Sequence, residues 1–107
     1  MKKYNLKDFE KGWFIGNFSP TLLNTEEFEV AIKYYKKGDY EEIHYHKKAV
    51  EYTIIVKGKV KMFDTIFKKG DIIEVNPYDK TSFTALSNTI TVVIKTPSVK
   101  NDNFIEE

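Results

Sequence analysis

The sequence predicts an all-β domain, an antiparallel sandwich or barrel, and three observations lead to this prediction. Short runs rich in β-branched and aromatic residues recur along most of the chain. Turn signals containing glycine, asparagine or proline separate these runs at regular spacing, as in sandwiches and barrels. The chain has 107 residues, of which 41% are hydrophobic, so it has the size and composition of one globular domain.

Turn signals end each predicted strand of the N-terminal half. The run "GWFIGNF" stops at Ser19-Pro20, because proline lacks the N–H that a paired strand would donate. Residues 21–28 are the one segment that could hold a helical turn. The runs "FEVAIKYY" and "EEIHYH" flank the turn Lys37-Gly38-Asp39. The three strands predicted here cover residues 12–18, 28–35 and 41–46.

The C-terminal half continues the same pattern. The runs "VEYTIIV" and "KVKMF" flank Lys57-Gly58, which predicts a tight hairpin. The run "DIIEV" follows Lys69-Gly70 and ends at Asn76-Pro77, and the runs "SFTAL" and "TITVVIK" flank Ser87-Asn88. The five strands predicted here cover residues 50–56, 59–63, 71–75, 82–86 and 89–95.

Two of these strands are apolar on both of their faces. The segments "TIIV" and "TVVI" have no polar side, and strands of this kind are covered by other groups on both sides. In so small a protein, a second subunit would supply one of the two covers. We therefore expect a homodimer with a sheet buried between the subunits.

The composition excludes several classes of function. The chain has no cysteine, which removes thiol nucleophiles, disulfides and cysteine-ligated zinc. Its 17 basic residues, all lysines, balance 16 acidic ones, so nothing in the net charge of +1 favours binding to nucleic acid or to an anionic membrane. No apolar run reaches the length of a signal peptide or of a membrane span. We expect a cytoplasmic protein that binds neither nucleic acid nor membrane.

The two histidines of the chain, His44 and His46, lie one residue apart in a predicted strand. Residues two apart share a face of a strand, so both imidazoles project together, and Glu42 has the same parity. Glu51 opens the next strand and can meet them if the two strands are neighbours. Two imidazoles and one carboxylate can hold a divalent metal. The alternative is a polar lining without metal, in which Glu51 orients a neutral histidine.

The spacing of these residues resembles the first motif of the cupin superfamily. The motif begins at Gly38, continues after five residues with His44-x-His46 and after four more with Glu51, and ends after a further six at Gly58. The agreement extends to every position of the motif.

A second segment resembles the second cupin motif, with departures. Gly70 and Pro77 match, but one extra residue separates them. Asp79 stands where the family usually has glycine, and Ser82 where it usually has histidine. The two motifs together cover most of a single domain, about residues 28–95.

The resemblance implies a small jelly-roll barrel with a central pocket, as one cupin domain over residues 1–107 with an N-terminal extension strand. It implies that His44, His46 and Glu51 are metal ligands, for iron, manganese, nickel or zinc. Ser82 is a poor metal ligand, so the metal would keep an open position on that side.

Three functions follow from the resemblance as alternatives. The first is a metal-dependent enzyme, of oxygenase or isomerase type, that acts on a small molecule in small-molecule or carbohydrate metabolism. The second is a metal-free sugar isomerase or epimerase that uses a histidine base, although such cupins grip a diphosphate with arginines, which this chain lacks. The third is a non-catalytic cupin that only binds a ligand. The candidates for catalysis are His44, His46, Tyr34 and Tyr35.

Overall fold

The computed structural model describes residues 1–105 and is almost entirely β-structure, which confirms the all-β prediction. Two 3₁₀ turns, Leu6–Asp8 and Glu10–Gly12, precede the strands. Within residues 1–105 the strands are β1 Trp13–Ile15, β2 Glu29–Tyr35, β3 Tyr40–Tyr45, β4 Val50–Lys57, β5 Lys59–Met62, β6 Thr65–Lys68, β7 Ile72–Val75, β8 Thr81–Ala85, β9 Thr89–Thr96 and β10 Phe104–Ile105. They form two five-stranded antiparallel sheets.

The chain alternates between the two sheets along much of its length. The first sheet has the strand order β1-β2-β9-β4-β7 and the second the order β10-β3-β8-β5-β6. Strands β4 and β5 therefore lie in different sheets, and the prediction of a hairpin at Lys57-Gly58 is wrong. Gly58 instead sits at a corner with φ 95°, where a Cβ atom would come within 2.5 Å of the carbonyl oxygen of Asn88 and of Oγ1 of Thr89. Glycine is required at this position because the backbone of Asn88 and Thr89 leaves no room for a side chain.

A hairpin that the sequence does not reveal joins β5 and β6. Its two turn residues, Phe63 and Asp64, have φ values of 50° and 61°, which are the signs that a type I′ turn requires. This turn usually contains Asn-Gly or Asp-Gly, so the pair Phe-Asp gave no signal. Strand β10 was missed as well, and residues 21–28 contain bends and no helical turn.

Part of the first sheet, along β4 and β9, turns polar residues inward. On β4, Glu51 and Thr53 are buried, and Thr91 is buried on β9. Ile54 on β4 pairs with Val92 on β9, and both project from the opposite, partly exposed face. The space between the sheets is therefore lined by polar groups along these two strands.

The apolar core fills the rest of the space between the sheets. Phe83 and Met62 belong to this core and also line the neighbouring polar cavity. The buried core cluster consists of Ile55, Val60, Met62, Ile73, Val75, Phe83 and Ala85. No helix among residues 1–105 is long and apolar enough to cross a membrane.

Candidate functional site

A cavity of about 630 Å³ lies between the two sheets. Its wall includes His44, His46 and Glu51, the three predicted metal ligands, and also the catalytic candidate Tyr35. The volume is in the range of pockets that bind small molecules. The fold therefore brings the predicted residues to one concave, polar site.

A bulge in β3 decides which acidic residue accompanies the histidines. Glu41 pairs with Phe83 of β8 and His44 pairs with Thr81, so β3 has one extra residue between the two pairs. The extra residue shifts the alternation of faces. Glu41 therefore lines the cavity, whereas Glu42 is exposed, and the prediction that Glu42 shares the histidine face is wrong.

His46 is the most buried of the candidate residues, with 2% of its surface exposed. Its Nδ1–H donates a hydrogen bond to the main-chain carbonyl oxygen of Asp102, because a carbonyl can only accept. In the neutral form of the ring, Nε2 is then the nitrogen that carries the free lone pair. It has no hydrogen-bond partner among residues 1–105, and the closest carboxylate oxygen given for it, Oε1 of Glu51, is 3.7 Å away.

Glu51 lies on β4 of the first sheet and faces His46, which directly follows β3 of the second sheet, so the two residues meet from different sheets and not from neighbouring strands. Its Oε2 accepts a hydrogen bond of 3.3 Å from Oγ1 of Thr53, the next inward residue of β4. Burial raises the pKa of Glu51, but His46, Lys95 and His44 together lower it further, so the net pKa lies below its ordinary value. At neutral pH the group is a carboxylate.

His44 is hydrogen-bonded through Nδ1 like His46, but it is less buried. Its Nδ1–H donates to the carbonyl oxygen of Glu42 at 2.9 Å, which again leaves Nε2 as a free acceptor. The two imidazole centroids are 5.6 Å apart with the rings nearly perpendicular. Across residues 1–105, no three histidine, aspartate or glutamate side chains are grouped closely enough to hold a metal ion in this arrangement. Two imidazoles and a carboxylate are suitable metal ligands, but in this arrangement the three side chains do not point to one common position.

Asp102 is a site residue that sequence reasoning missed. Its carboxylate accepts hydrogen bonds from the backbone N–H groups of Lys47, Lys48 and Ala49 at 2.9–3.2 Å. Burial raises the pKa of Asp102, but these donors outweigh burial and the pKa is lowered. Asp102 lies outside the two motifs, and the only sequence signal would have been a further strand after residue 100, where β10 now pairs with β3.

The two adjacent tyrosines have separate environments. Tyr35 lines the cavity, and its hydroxyl donates to Oε1 of Glu41 at 3.1 Å. Burial and then Glu41 raise the pKa of Tyr35, so the phenol stays protonated. Tyr34 projects to the other side of β2 with 68% of its surface exposed and does not line this cavity. Tyr35 is the one of the pair that can act here.

Ser82 does not take the position that was expected of it. On β8 the buried and half-buried residues alternate, and Thr81 and Phe83 face the cavity. Ser82 points to the opposite face. The prediction that Ser82 stands beside the metal position is therefore wrong, and the hydroxyl nearest in sequence that lines the cavity belongs to Thr81.

Two lysines and a tryptophan form another part of the wall. The Nζ atoms of Lys33 and Lys95 lie 5.3 Å and 4.9 Å from the centroid of the Trp13 ring. Lys95 on β9 pairs with Glu29 of β2 on one side and with Glu51 of β4 on the other. This row connects the lysine wall to the His46–Glu51 pair.

No protein-family model matches the chain, and no curated protein matches it. Solved structures do. An uncharacterized conserved protein with a double-stranded β-helix domain from Klebsiella pneumoniae matches with a TM-score of 0.73 and 15% identity, over 99% of this chain and 92% of that one.

Two further solved structures have the same fold. An RmlC-like cupin from Shewanella frigidimarina matches with a TM-score of 0.66 and 16% identity, over 71% of each chain. Oxalate decarboxylase from Bacillus subtilis, a protein with Mn(II) centers, matches with a TM-score of 0.69 and 18% identity, over 76% of this chain and 24% of that one.

Proposed function

We propose that this chain, which has the double-stranded β-helix fold of the cupins, binds a small molecule in its cavity beside a divalent metal held by His44, His46 and Glu51. One observation carries the proposal. Both histidines donate Nδ1–H to a main-chain carbonyl, so that both Nε2 lone pairs are free for an ion. Metal-binding histidines almost always have such a second hydrogen bond, which fixes the tautomer.

The surrounding residues support the same function. Thr53 orients the carboxylate of Glu51, and Asp102 holds the ring of His46. A bound metal would act as a Lewis acid on an oxygen atom of the ligand. His44, which is half-exposed on β3, is the side chain that would have to turn to complete the set. Oxalate decarboxylase, which has the same fold, contains Mn(II), and manganese is one of the four metals expected here, with iron, nickel and zinc.

Metal analysis of the protein tests this proposal. Protein prepared without a metal-affinity tag should contain close to one divalent ion per chain, and EDTA-treated protein should bind Mn²⁺ again in calorimetry. Glu51→Gln should weaken Mn²⁺ binding by at least about tenfold, as losses of metal-site groups do. Glu42→Gln is the matched control, because Glu42 is exposed, and it should leave the affinity unchanged. Failure of the wild type to take up iron, manganese, nickel, cobalt or zinc would refute the metal site.

A metal-free acid–base site is the second candidate, favoured by the 3.7 Å separation of His46 and Glu51 and by the absence of a closed three-residue cluster in residues 1–105. In that case Nε2 of His46 would take a proton from a carbon next to a carbonyl group, and Glu51 would stabilise the charged ring. EDTA-treated protein should then catalyse deuterium exchange at C3 of pyruvate, and His46→Ala should abolish it. Ligand binding without exchange would indicate the non-catalytic alternative.

A further inference from the structure

We infer that the ligand of this cavity is a small organic anion, a carboxylate or a phosphate, whose negative group is bound by Lys95 and whose polar remainder reaches into the cavity toward His46 and Thr91. The inference rests on the proposed function in one respect, that the cavity binds a small molecule. It adds the class of ligand and a specificity-determining residue.

Lys95 is a half-buried cation without an ion pair. Among residues 1–105 it forms no salt bridge, although Glu29 and Glu51 are its partners on the neighbouring strands. Its ammonium group instead lies over the ring of Trp13 at 4.9 Å. A cation–π contact compensates only part of the loss of hydration. The group therefore retains hydrogen-bonding capacity for an anion within the cavity.

Lys33, unlike Lys95, has a carboxylate within salt-bridge distance. Its ammonium group is 3.8 Å from Oε2 of Glu41, and Glu41 also accepts the hydroxyl of Tyr35. The charge of Lys33 is thus matched inside the protein. Both ammonium groups lie near the same indole, so they are within about 10 Å of each other, and Lys33 adds a favourable field at the same wall.

The carboxylates of the wall do not cancel this preference, because most of them have partners. Asp102 is occupied by three backbone N–H groups, Glu41 by Lys33 and Tyr35, and Glu51 by Thr53. Lys95 has the Trp13 ring as its close neighbour, while Glu29 and Glu51 interact with it electrostatically from beyond salt-bridge distance among residues 1–105.

Two buried polar atoms indicate that the cavity is built for a polar ligand. Nε2 of His46 and Oγ1 of Thr91 have no hydrogen-bond partner among residues 1–105, and their residues are 2% and 0% exposed. Both residues line the same cavity as Lys95. A buried polar atom without a partner is costly, so a ligand that satisfies both atoms gains affinity from them. In the metal-free protein, an anion that also carries a hydroxyl group could donate to Nε2 of His46, and any of its oxygen atoms could accept from Oγ1 of Thr91.

Titration of EDTA-treated protein with succinate, inorganic phosphate and neutral glucose tests the inference. At least one of the two anions should bind more tightly than glucose, and the stronger anion identifies the carboxylate or the phosphate class. Lys95→Met keeps the aliphatic stem and removes the charge, so it should weaken the binding of that anion by about tenfold. Lys61→Met removes the same charge from an exposed position on β5 and should change the affinity by less than about twofold.

The outcomes separate this inference from the proposed metal site. Mn²⁺ binding by Lys95→Met should be unchanged or tighter, because a positive charge near Glu51 is lost. If Mn²⁺ binds while neither anion binds more tightly than glucose, or if Lys95→Met and wild type bind the anion equally, the anion inference is overturned and the metal site stands. If Mn²⁺ does not bind while an anion binds through Lys95, the metal site fails and the anion inference stands.

Discussion

His46 donates a hydrogen bond from Nδ1 to the main-chain carbonyl oxygen of Asp102, a residue 56 positions further along the chain. The same residue binds the backbone of the segment that follows His46 with its carboxylate. One residue thus fixes both the tautomer of the imidazole and the loop between β3 and β4. The geometry of the site depends on a tertiary contact as much as on the motif.

Replacing Asp102 by asparagine should destabilise the protein by about 1.5–3 kcal/mol, because hydrogen bonds to a charged acceptor are lost and buried N–H groups remain. The measurement is the free energy of unfolding in urea. Asp64→Asn is the matched control, since the Asp64 side chain is 99% exposed, and it should change stability by less than about 0.5 kcal/mol. Equal effects of the two substitutions would show that the Asp102 contacts contribute little.

Thr91→Val should leave the ligand-free protein equally stable or more stable by about 1 kcal/mol, because the substitution removes a buried hydroxyl that has no partner. Thr89→Val makes the same chemical change two residues away on β9. It should be destabilising, because Oγ1 of Thr89 donates to the carbonyl oxygen of Ser87 at 2.8 Å. Urea unfolding of both variants gives the comparison. A large loss of stability for Thr91→Val would mean that its hydroxyl already has a partner inside the protein.

Two motif glycines should tolerate alanine very differently. Gly38 and Gly58 have φ values of 94° and 95°, so backbone strain is similar, and Gly38→Ala should cost about 1–2 kcal/mol. A Cβ atom at Gly38 meets nothing within 4 Å, whereas at Gly58 it overlaps backbone atoms of Asn88 and Thr89. Gly58→Ala should therefore cost at least about 2 kcal/mol more in urea unfolding, as overpacking does. Similar costs for both variants would contradict the close approach at this corner.

Stability should depend on pH through Glu29. Burial raises the pKa of Glu29 above its ordinary value of 4.5, so the folded protein binds the proton more tightly than the unfolded chain does. The ionised side chain then destabilises the fold above the raised pKa, and this effect vanishes below 4.5. Glu29→Gln should be more stable than wild type at pH 7, and the difference should disappear at pH 4. Glu27→Gln, at an exposed position, should show no such dependence.

The outer face of the first sheet should form a homodimer interface. Apolar residues from β2, β4 and β9 face outward there, with Ile54 and Val92 side by side near the middle. Light scattering should give the mass of a dimer at micromolar concentration. Ile54→Lys should produce monomers, because a charge in the centre of such an interface is not solvated. Ile66→Lys, on the exposed strand β6 of the other sheet, should remain dimeric. A monomeric wild type would refute the interface.

The part of the candidate site that lies within the first motif was predictable, because the alternation of strand faces and the motif spacing involve residues close in sequence. His44, His46 and Glu51 were expected to converge on one point; all three line the cavity, but among residues 1–105 they are not grouped closely enough to hold a metal ion. The alternation of strand faces predicted that Glu42 would lie on the histidine face, but the bulge in β3 places Glu41 there. The bulge depends on the pairing with β8 and leaves no mark in the sequence. Asp102 could not be predicted, because its role arises from a contact between distant segments.

The fold was predictable for strands with strong composition signals, and less so for how they pair. The eight predicted strands correspond to β1–β5 and β7–β9 with small shifts at their ends. Lys57-Gly58 has the sequence of a hairpin turn, but the same residues serve at a corner between sheets. Local turn chemistry does not distinguish these two uses, because both need a glycine with positive φ.

The alternation of the chain between two sheets has a kinetic consequence. Within residues 1–105, only the pairs β1–β2 and β5–β6 join strands that follow one another in the sequence. Most pairings need strands from distant parts of the chain, such as β4 with β9, and closing such long loops precedes any gain from pairing. Chains with this contact pattern fold on the scale of milliseconds to seconds. The β5–β6 hairpin is the local structure most able to form early, whereas the cavity can exist only when the two sheets have already closed on each other.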